Sequence, residues 1–219
     1  GGSSVTVASV GGVANFNGVM VNGVVGTTYT LTATALSTTG ATITGTTTIT
    51  ITPGVPASIV FSVEPSTTGI AGVNLSTTPQ ISVLDACGNV VPTAVYQVSY
   101  SLDPASTNTT ATMNIQPTNG LVTVNGSSTF TGLNIERTGT YYLRAVANFV
   151  SYTPPVGYGP APTQLSATSS SVVILPNVAY KLSVVTNPPS TNLSNTFFTT
   201  ATVVEVQDQF GNQVTTESG

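Results

Sequence analysis

Polar and apolar residues alternate along much of this 219-residue chain. Tyr29-Thr30-Leu31-Thr32-Ala33-Thr34, Thr47-Thr48-Ile49-Thr50-Ile51-Thr52 and Tyr96-Gln97-Val98-Ser99-Tyr100-Ser101-Leu102 change character at nearly every step. A period of two sends successive side chains to opposite faces of a pleated strand. The apolar set is mainly Val, Ile, Leu and Tyr, and the polar set is mainly Thr and Ser, types that suit half-buried strands. No segment sustains the three-four spacing of an amphipathic helix, and good helix formers are sparse. Gly, Pro and Asn interrupt the pattern often enough for about seven strands per repeat, which predicts an all-β chain of sandwich architecture.

One motif recurs. Val83-Leu84-Asp85-Ala86-Cys87-Gly88-Asn89 and Val206-Gln207-Asp208-Gln209-Phe210-Gly211-Asn212 both run from an apolar stretch into Asp-x-x-Gly-Asn. Asp hydrogen-bonds the backbone ahead of it, and Gly or Asn accepts positive φ, so the motif predicts a tight turn between strands. Asp85, Gly88, Asn89 and Asp208, Gly211, Asn212 thus serve as repeat markers at an offset of 208 − 85 = 123. At that offset 53–96 aligns with 176–219 without a gap, matching Pro53/Pro176, Pro65/Pro188, Val83/Val206 and Val91/Val214. Agreement at turns and inward strand positions is what a repeated β fold leaves behind.

A second correspondence joins the start of the chain to its middle. Val13–Val21 resembles Ser128–Ile135 with Phe16 on Phe130, and Gly26–Ala33 resembles Gly139–Ala145. The expected organisation is therefore 1–52 as the C-terminal part of one repeat, 53–175 as a complete repeat, and 176–219 as the N-terminal part of a third. An insertion near 149–162 carries Pro154, Pro155, Pro160 and Pro162, which exclude a central strand there and favour an exposed loop.

Composition narrows the function. Charged residues make up 5% and the net charge is −4, with only Arg137, Arg144 and Lys181 basic. That cannot neutralise a run of phosphates, so nucleic acid is excluded as a partner, and an anionic membrane surface is disfavoured. No apolar run reaches the roughly 20 residues of a membrane helix, so no membrane insertion is expected. No signal peptide is evident, and the material is expected to be mature or internal. The single Cys87 excludes an internal disulfide and a two-cysteine zinc site; it reads as a small turn residue, or as one half of an intermolecular bond.

The order Val-Ala-x-Phe-x-Gly (13–18), Gly-Thr-x-Tyr-x-Leu-x-Ala (26–33), Pro53, Ile-Val-Phe (59–61), Pro-Ser (65–66) and Val-x-Asp-x-x-Gly-Asn (83–89) resembles the bacterial Ig-like tandem repeats of large secreted surface proteins and adhesins. The resemblance implies tandem immunoglobulin-like β-sandwich repeats, here with incomplete terminal repeats, in an extracellular cell-surface stalk or fibre. It carries no catalytic residues and no cofactor.

Individual sites were weighed in that setting. The chain has no His, which removes the usual Ser-His and Cys-His pairs. Its seven acids, Glu64, Asp85, Asp103, Glu136, Glu205, Asp208 and Glu217, are scattered singly, which argues against a paired-carboxylate hydrolase. No enzyme is expected. Calcium at Asp85 or Asp208, with Glu64 or Glu136 approaching, competes with a simpler role as turn caps. Asn-x-Ser/Thr glycosylation triplets occur at Asn74, Asn108, Asn125 and Asn192, about the number chance provides, and O-linked glycans on Thr-rich faces are as plausible. Only Lys181 could form a Lys–Asn cross-link, and 53–175 has no Lys. Tyr152 and Tyr158, among prolines and glycines, form a candidate contact loop.

Three functions follow. The first is a non-enzymatic structural protein whose stacked repeats form a surface fibre, stalk or filament. The second is a filament subunit whose incomplete ends are completed by strands of identical subunits. The third is an adhesin module binding surface carbohydrate, weakened by the absence of Trp.

Overall fold

The computed structural model describes residues 4–155 and 157–215. The chain divides into two compact units, Gly1–Pro53 and Gly54–Gly219. Every regular element among the described residues is a strand, so the chain is all-β. Glu217, one of the seven acids, lies outside the described residues.

The first unit is an antiparallel hairpin of β1 (Thr28–Leu36) and β2 (Thr42–Thr50), joined by the five-residue loop 37–41. Residues 10–13 close a small turn through a bridge between Val10 and Val13. The hairpin alternates as its sequence demands, yet only Tyr29 and Leu31 are half-buried. Among the described residues it forms a sheet of two strands.

The second unit holds the core. Its first layer pairs β3 (Pro56–Val63) with β5 (Gln80–Asp85) and β5 with β9 (Ser127–Thr129). Past Phe130 the chain resumes as β10 (Thr131–Ile135), which pairs with β7 (Met113–Gln116). The second layer runs β13 (Gln164–Thr168), β12 (Leu143–Ser151), β6 (Val95–Leu102), β8 (Leu121–Val122). It continues through β11 (Gly139–Tyr141), β14 (Val172–Leu175) and β4 (Thr68–Ile70). β4 is parallel to β14, while all the other ladders are antiparallel.

Between the layers lies one apolar cluster. β3 and β5 supply Ile59, Ile81 and Val83, the β9–β10 strand supplies Phe130, Leu133 and Ile135, and the second layer supplies Tyr96, Val98, Tyr141, Leu143, Ala145, Ala147, Val172 and Ile174. The period of two explains the choice: in β12, Leu143, Ala145 and Ala147 point in while Arg144 points out. Aromatic rings tie the layers together, Phe61 stacking on Tyr100 at 5.7 Å and Tyr100 meeting Phe130 at 4.5 Å. Burial, with Glu64 adding, pushes the Tyr100 hydroxyl well above its ordinary pKa.

Hydroxyl ladders replace charge on the outer face. Ser82 Oγ donates to Ser62 Oγ at 2.8 Å and lies 3.0 Å from Ser127 Oγ, and Gln80 Nε2 donates to Thr129 Oγ1. Such cross-strand pairs satisfy polar groups without ions.

Residues 176–215 add β15 (Lys181–Thr186) and β16 (Val203–Gln207), paired antiparallel. Their register repeats that of β3 and β5 at the 123 offset: Ser58–Leu84 becomes Lys181–Gln207, Ile59–Val83 becomes Leu182–Val206, and the irregularity at 61/63 recurs at 184/186. Their burial does not repeat. Ile59 is 3% exposed and Leu182 72%; Ile81 is 0% and Val204 49%.

Ile81→Ala therefore is expected to cost about 2–5 kcal/mol through the cavity it leaves, whereas Leu182→Ala should stay within about 0.5 kcal/mol. Urea unfolding midpoints check the contrast. Equal losses at both positions would contradict the burial described.

Candidate functional site

The Asp-x-x-Gly-Asn motif builds the same corner twice. β5 ends at Asp85, the backbone turns through Gly88 at φ +83, and Val91 N–H returns to Val83 O at 2.9 Å. At the second copy Gly211 has φ +82 and Val214 N–H returns to Val206 O at 2.9 Å. Only glycine takes this backbone freely. Asp85 N–H to Asn89 O and Asp208 N–H to Asn212 O close both turns at 2.9 Å.

Each Asp side chain organises its corner. Asp85 Oδ1 accepts from Cys87 N–H and Asn89 N–H, both at 2.9 Å, and Oδ2 accepts from Gly54 N–H at 2.9 Å and Asn89 Nδ2 at 3.1 Å. Asp208 Oδ1 accepts from Phe210 N–H and Asn212 N–H, both at 2.9 Å, and Oδ2 from Asn177 N–H at 3.0 Å and Asn212 Nδ2 at 2.8 Å. Gly54 and Asn177 are equivalent at the 123 offset and each follows a proline. The carboxylate thus staples the first residue after the proline to the end of the second strand, which fixes the direction in which the chain enters the layer.

Burial would raise both carboxyl pKa values, but the N–H donors outweigh it and hold them below the ordinary carboxylate range. Asp85 and Asp208 cap their turns, the simpler of the two roles the sequence offers them. Their oxygens meet N–H groups, whose polarity is opposite to that of a cation's ligands. Glu64 Oε2 is likewise taken by Ser170 N–H and its hydroxyl, and Glu136 Oε1 by Asn114 Nδ2. Among the described residues no three His, Cys, Asp or Glu side chains cluster as metal ligands would.

The two corners differ in one respect. Asn212 reaches beyond its own turn: its Nδ2 donates to Glu136 O at 2.8 Å and its Oδ1 accepts from Thr138 N–H at 3.0 Å. Glu136–Thr138 is the turn between β10 and β11 of the preceding sandwich. Asn177 Nδ2 adds a bond to Ala71 O at 2.9 Å. The Phe210 ring covers Gly72, at φ +71, where a Cβ would strike the ring. Together these groups join 176–215 to the sandwich before it. Asp208 is fully buried in the joint and Asn212 is 5% exposed.

Sequence reasoning found the turn but missed the joint. The one signal was Phe210 standing where the other copy has the exposed Cys87.

The remaining predicted sites are spread out. Asn74, Asn125 and Asn192 are exposed and Asn108 is half-buried. Asn125 and Gly126, at φ 51 and 74, form the two-residue turn of a tight hairpin. Asn74 Oδ1 accepts from Asn134 Nδ2, Asn108 Oδ1 from Thr110, and Asn192 Nδ2 donates to Thr196 O. In the insertion, Tyr158 is 61% exposed. Tyr152 is not a partner to it: it packs against the core, and its hydroxyl donates to Gly54 O at 3.2 Å.

Asn212→Ala should expose the Thr138 amide to faster hydrogen exchange and cost about 1–3 kcal/mol, since Glu136 O and the Oδ2 of buried Asp208 lose a donor. Asn89→Ala should leave Thr138 unchanged. An unaltered Thr138 rate in Asn212→Ala would refute the joint. Because both Asp values are depressed on folding, their stabilisation is complete above about pH 4 and is lost as pH falls through the lower folded values. Urea midpoints should fall on acidification, and by less in Asp208→Asn.

No family model and no curated protein matches this chain. Several solved structures are similar to it at low level, two of them of one surface protein. One is the crystal structure of the S-layer protein SbsC domains 4 and 5, at 14% identity and TM-score 0.32, covering 71% of this chain and 74% of that one. The other is the structure of surface layer protein SbsC, domains 4–9, at 15% identity and TM-score 0.34; the match covers 89% of this chain and 30% of that longer one.

Proposed function

We propose that this chain is a non-enzymatic, extracellular structural protein whose immunoglobulin-like repeats form a stalk or fibre at a cell surface. The observation that carries this is the Asp208 corner, which repeats the Asp85 corner bond for bond and is clamped onto the preceding sandwich by Asn212, Asn177 and Phe210. A joint with side-chain bonds on both sides of the linker resists bending, and resistance to bending is what a spacer needs.

The layer order supports the immunoglobulin-like assignment. β3, β5, β9–β10 and β7 form one layer in the order of strands A, B, E and D, and β14/β13, β12 and β6 form the other in the order G, F and C. β4 and β14 support the load-bearing role. They are parallel and lie near the two ends of the 54–175 sandwich, so tension applied at those ends shears their ladder and loads its hydrogen bonds together. Val173 N–H to Thr67 O and Ala71 N–H to Leu175 O, both at 2.9 Å, extend that ladder. A chain with 5% charged residues is served by hydroxyl pairs, and glycans at exposed Asn or Thr would add to its solubility.

Pulling single molecules from the two ends should give a distinct force peak for 54–175. Val173→Pro removes the donor to Thr67 and should lower that peak by more than a proline at the exposed Tyr158 does. Equal forces in both variants would remove the mechanical basis of the proposal. Protease applied to intact source cells should release the antigen; protection from protease would remove the surface location.

A further inference from the structure

A relay of amide side chains crosses the outer surface of 54–175. It begins at Glu136, whose carboxylate only accepts hydrogen bonds. Asn114 therefore turns its nitrogen to it: Nδ2 donates to Glu136 Oε1 at 3.2 Å and to Asn134 Oδ1 at 3.0 Å. With its oxygen so taken, Asn134 presents Nδ2 to Asn74 Oδ1 at 2.9 Å and to Gly132 O at 3.4 Å. The carboxylate thus sets the direction of each amide in turn, and the last of them, Asn74, keeps its nitrogen free. Asn74 lies on the loop 71–79 between β4 and β5 and is exposed, as is Ser76 two residues on. Neither Asn74 Nδ2 nor Ser76 Oγ meets a hydrogen-bond partner among the described residues.

Asn74-Leu75-Ser76 is one of four Asn-x-Ser/Thr triplets, and the fold separates it from the others. Asn192 Nδ2 donates to Thr196 O at 2.8 Å. In the triplet of Asn108, the Thr110 hydroxyl donates to Asn108 Oδ1 at 2.8 Å. In that of Asn125, Val124 and Ser127 fold the turn back on itself, and Ser127 Oγ lies 3.0 Å from Ser82 Oγ. Each of these three has its nitrogen or its hydroxyl engaged. Asn74 also borders an open apolar groove that it shares with Thr68, Ser76, Ile70, Val73 and Leu175. Ile70 and Val73 are each 46% exposed there and Leu175 is 51%.

We propose that Asn74 carries an N-linked glycan whose first sugars lie over Ile70, Val73 and Leu175. The inference rests on the extracellular reading above and names a modification for that surface. In the linkage step Nδ2 bonds to the anomeric carbon of a phosphate-activated sugar, the carbon–oxygen bond to the phosphate breaks, and the amide loses one proton. Oδ1 keeps its lone pairs, so the bond from Asn134 survives and holds the root of the sugar in place. Leu75, between the two polar residues, is 8% exposed, and its N–H donates to Leu133 O at 2.8 Å. It anchors the loop from below, and the sugar stands on a fixed base.

Mass spectrometry of peptides from the protein recovered from its source cells tests this. The peptide holding Asn74 should carry sugar mass, and cleavage of the linkage by a peptide N-glycanase should leave Asp at that position. Asn74→Gln and Ser76→Ala, expressed in those cells, should each lose the sugar, whereas Asn108→Gln, Asn125→Gln and Asn192→Gln should keep it. Ser76→Ala leaves the Asn134 bond in place and serves if Asn74→Gln perturbs the fold. Removing the glycan from the folded protein should raise binding of an apolar dye several-fold, and Ile70→Ser combined with Val73→Ser should cancel that rise. An unmodified Asn74 peptide overturns the proposal, as does sugar confined to the other three triplets. Dye binding unchanged on deglycosylation overturns the covering of the groove. Protease release of an unmodified protein from intact cells would leave the surface location standing, so the two failures are separable.

Discussion

A carboxylate taken out of water must be met by donors, and here the donors are backbone N–H groups that only one local geometry brings within reach. That constraint shapes both corners. Asp85 and Asp208 each gather two N–H groups from the turn ahead, the side chain of the Asn four residues on, and the first N–H after a proline about thirty residues back. Losing any one of these leaves a buried charge short of a partner, which costs more than an ordinary hydrogen bond contributes. Turn, strand end and incoming linker are therefore held as one piece, and the rest of each layer takes its register from there.

The joint grows from the same arrangement by one extension. Asn212 is oriented by Asp208, and its remaining donor and acceptor then fall on Glu136 O and Thr138 N–H of the sandwich before it. The side chain that completes a turn also fixes the relation of two segments. Gly72 lets Phe210 lie flat against the backbone, so close packing accompanies the polar contacts.

Low charge is coherent with this mechanics. An all-β chain has much outer strand surface, and ionic side chains there would be screened and contribute little. Ser, Thr and Gln pairs across neighbouring strands satisfy polar groups locally. The apolar positions that remain open lie largely on the two end pieces, where Leu182, Phe197, Phe198, Val10 and Met20 face outward.

The sequence by itself determined the all-β class, the strand alternation, both Asp-x-x-Gly-Asn turns and the 123-residue correspondence, because each depends on neighbours in the chain: side-chain period, positive φ, and Asp bonding the backbone ahead. The prolines at 154, 155, 160 and 162 lie outside the strands, as residues without an N–H to donate to a ladder must, although β12 runs on through Ser151 into the stretch expected to be a loop. Only tertiary structure decided that Tyr152 turns inward to Gly54 while Tyr158 stays out, that β4 runs parallel to β14, and that Asn212 crosses to Glu136 and Thr138. Those are contacts between residues 74 to 105 positions apart, and a pattern of period two contains no term for them. Burial was hidden for the same reason: Ile59 and Leu182 are written alike in the chain, and only the presence of a second layer makes one of them core.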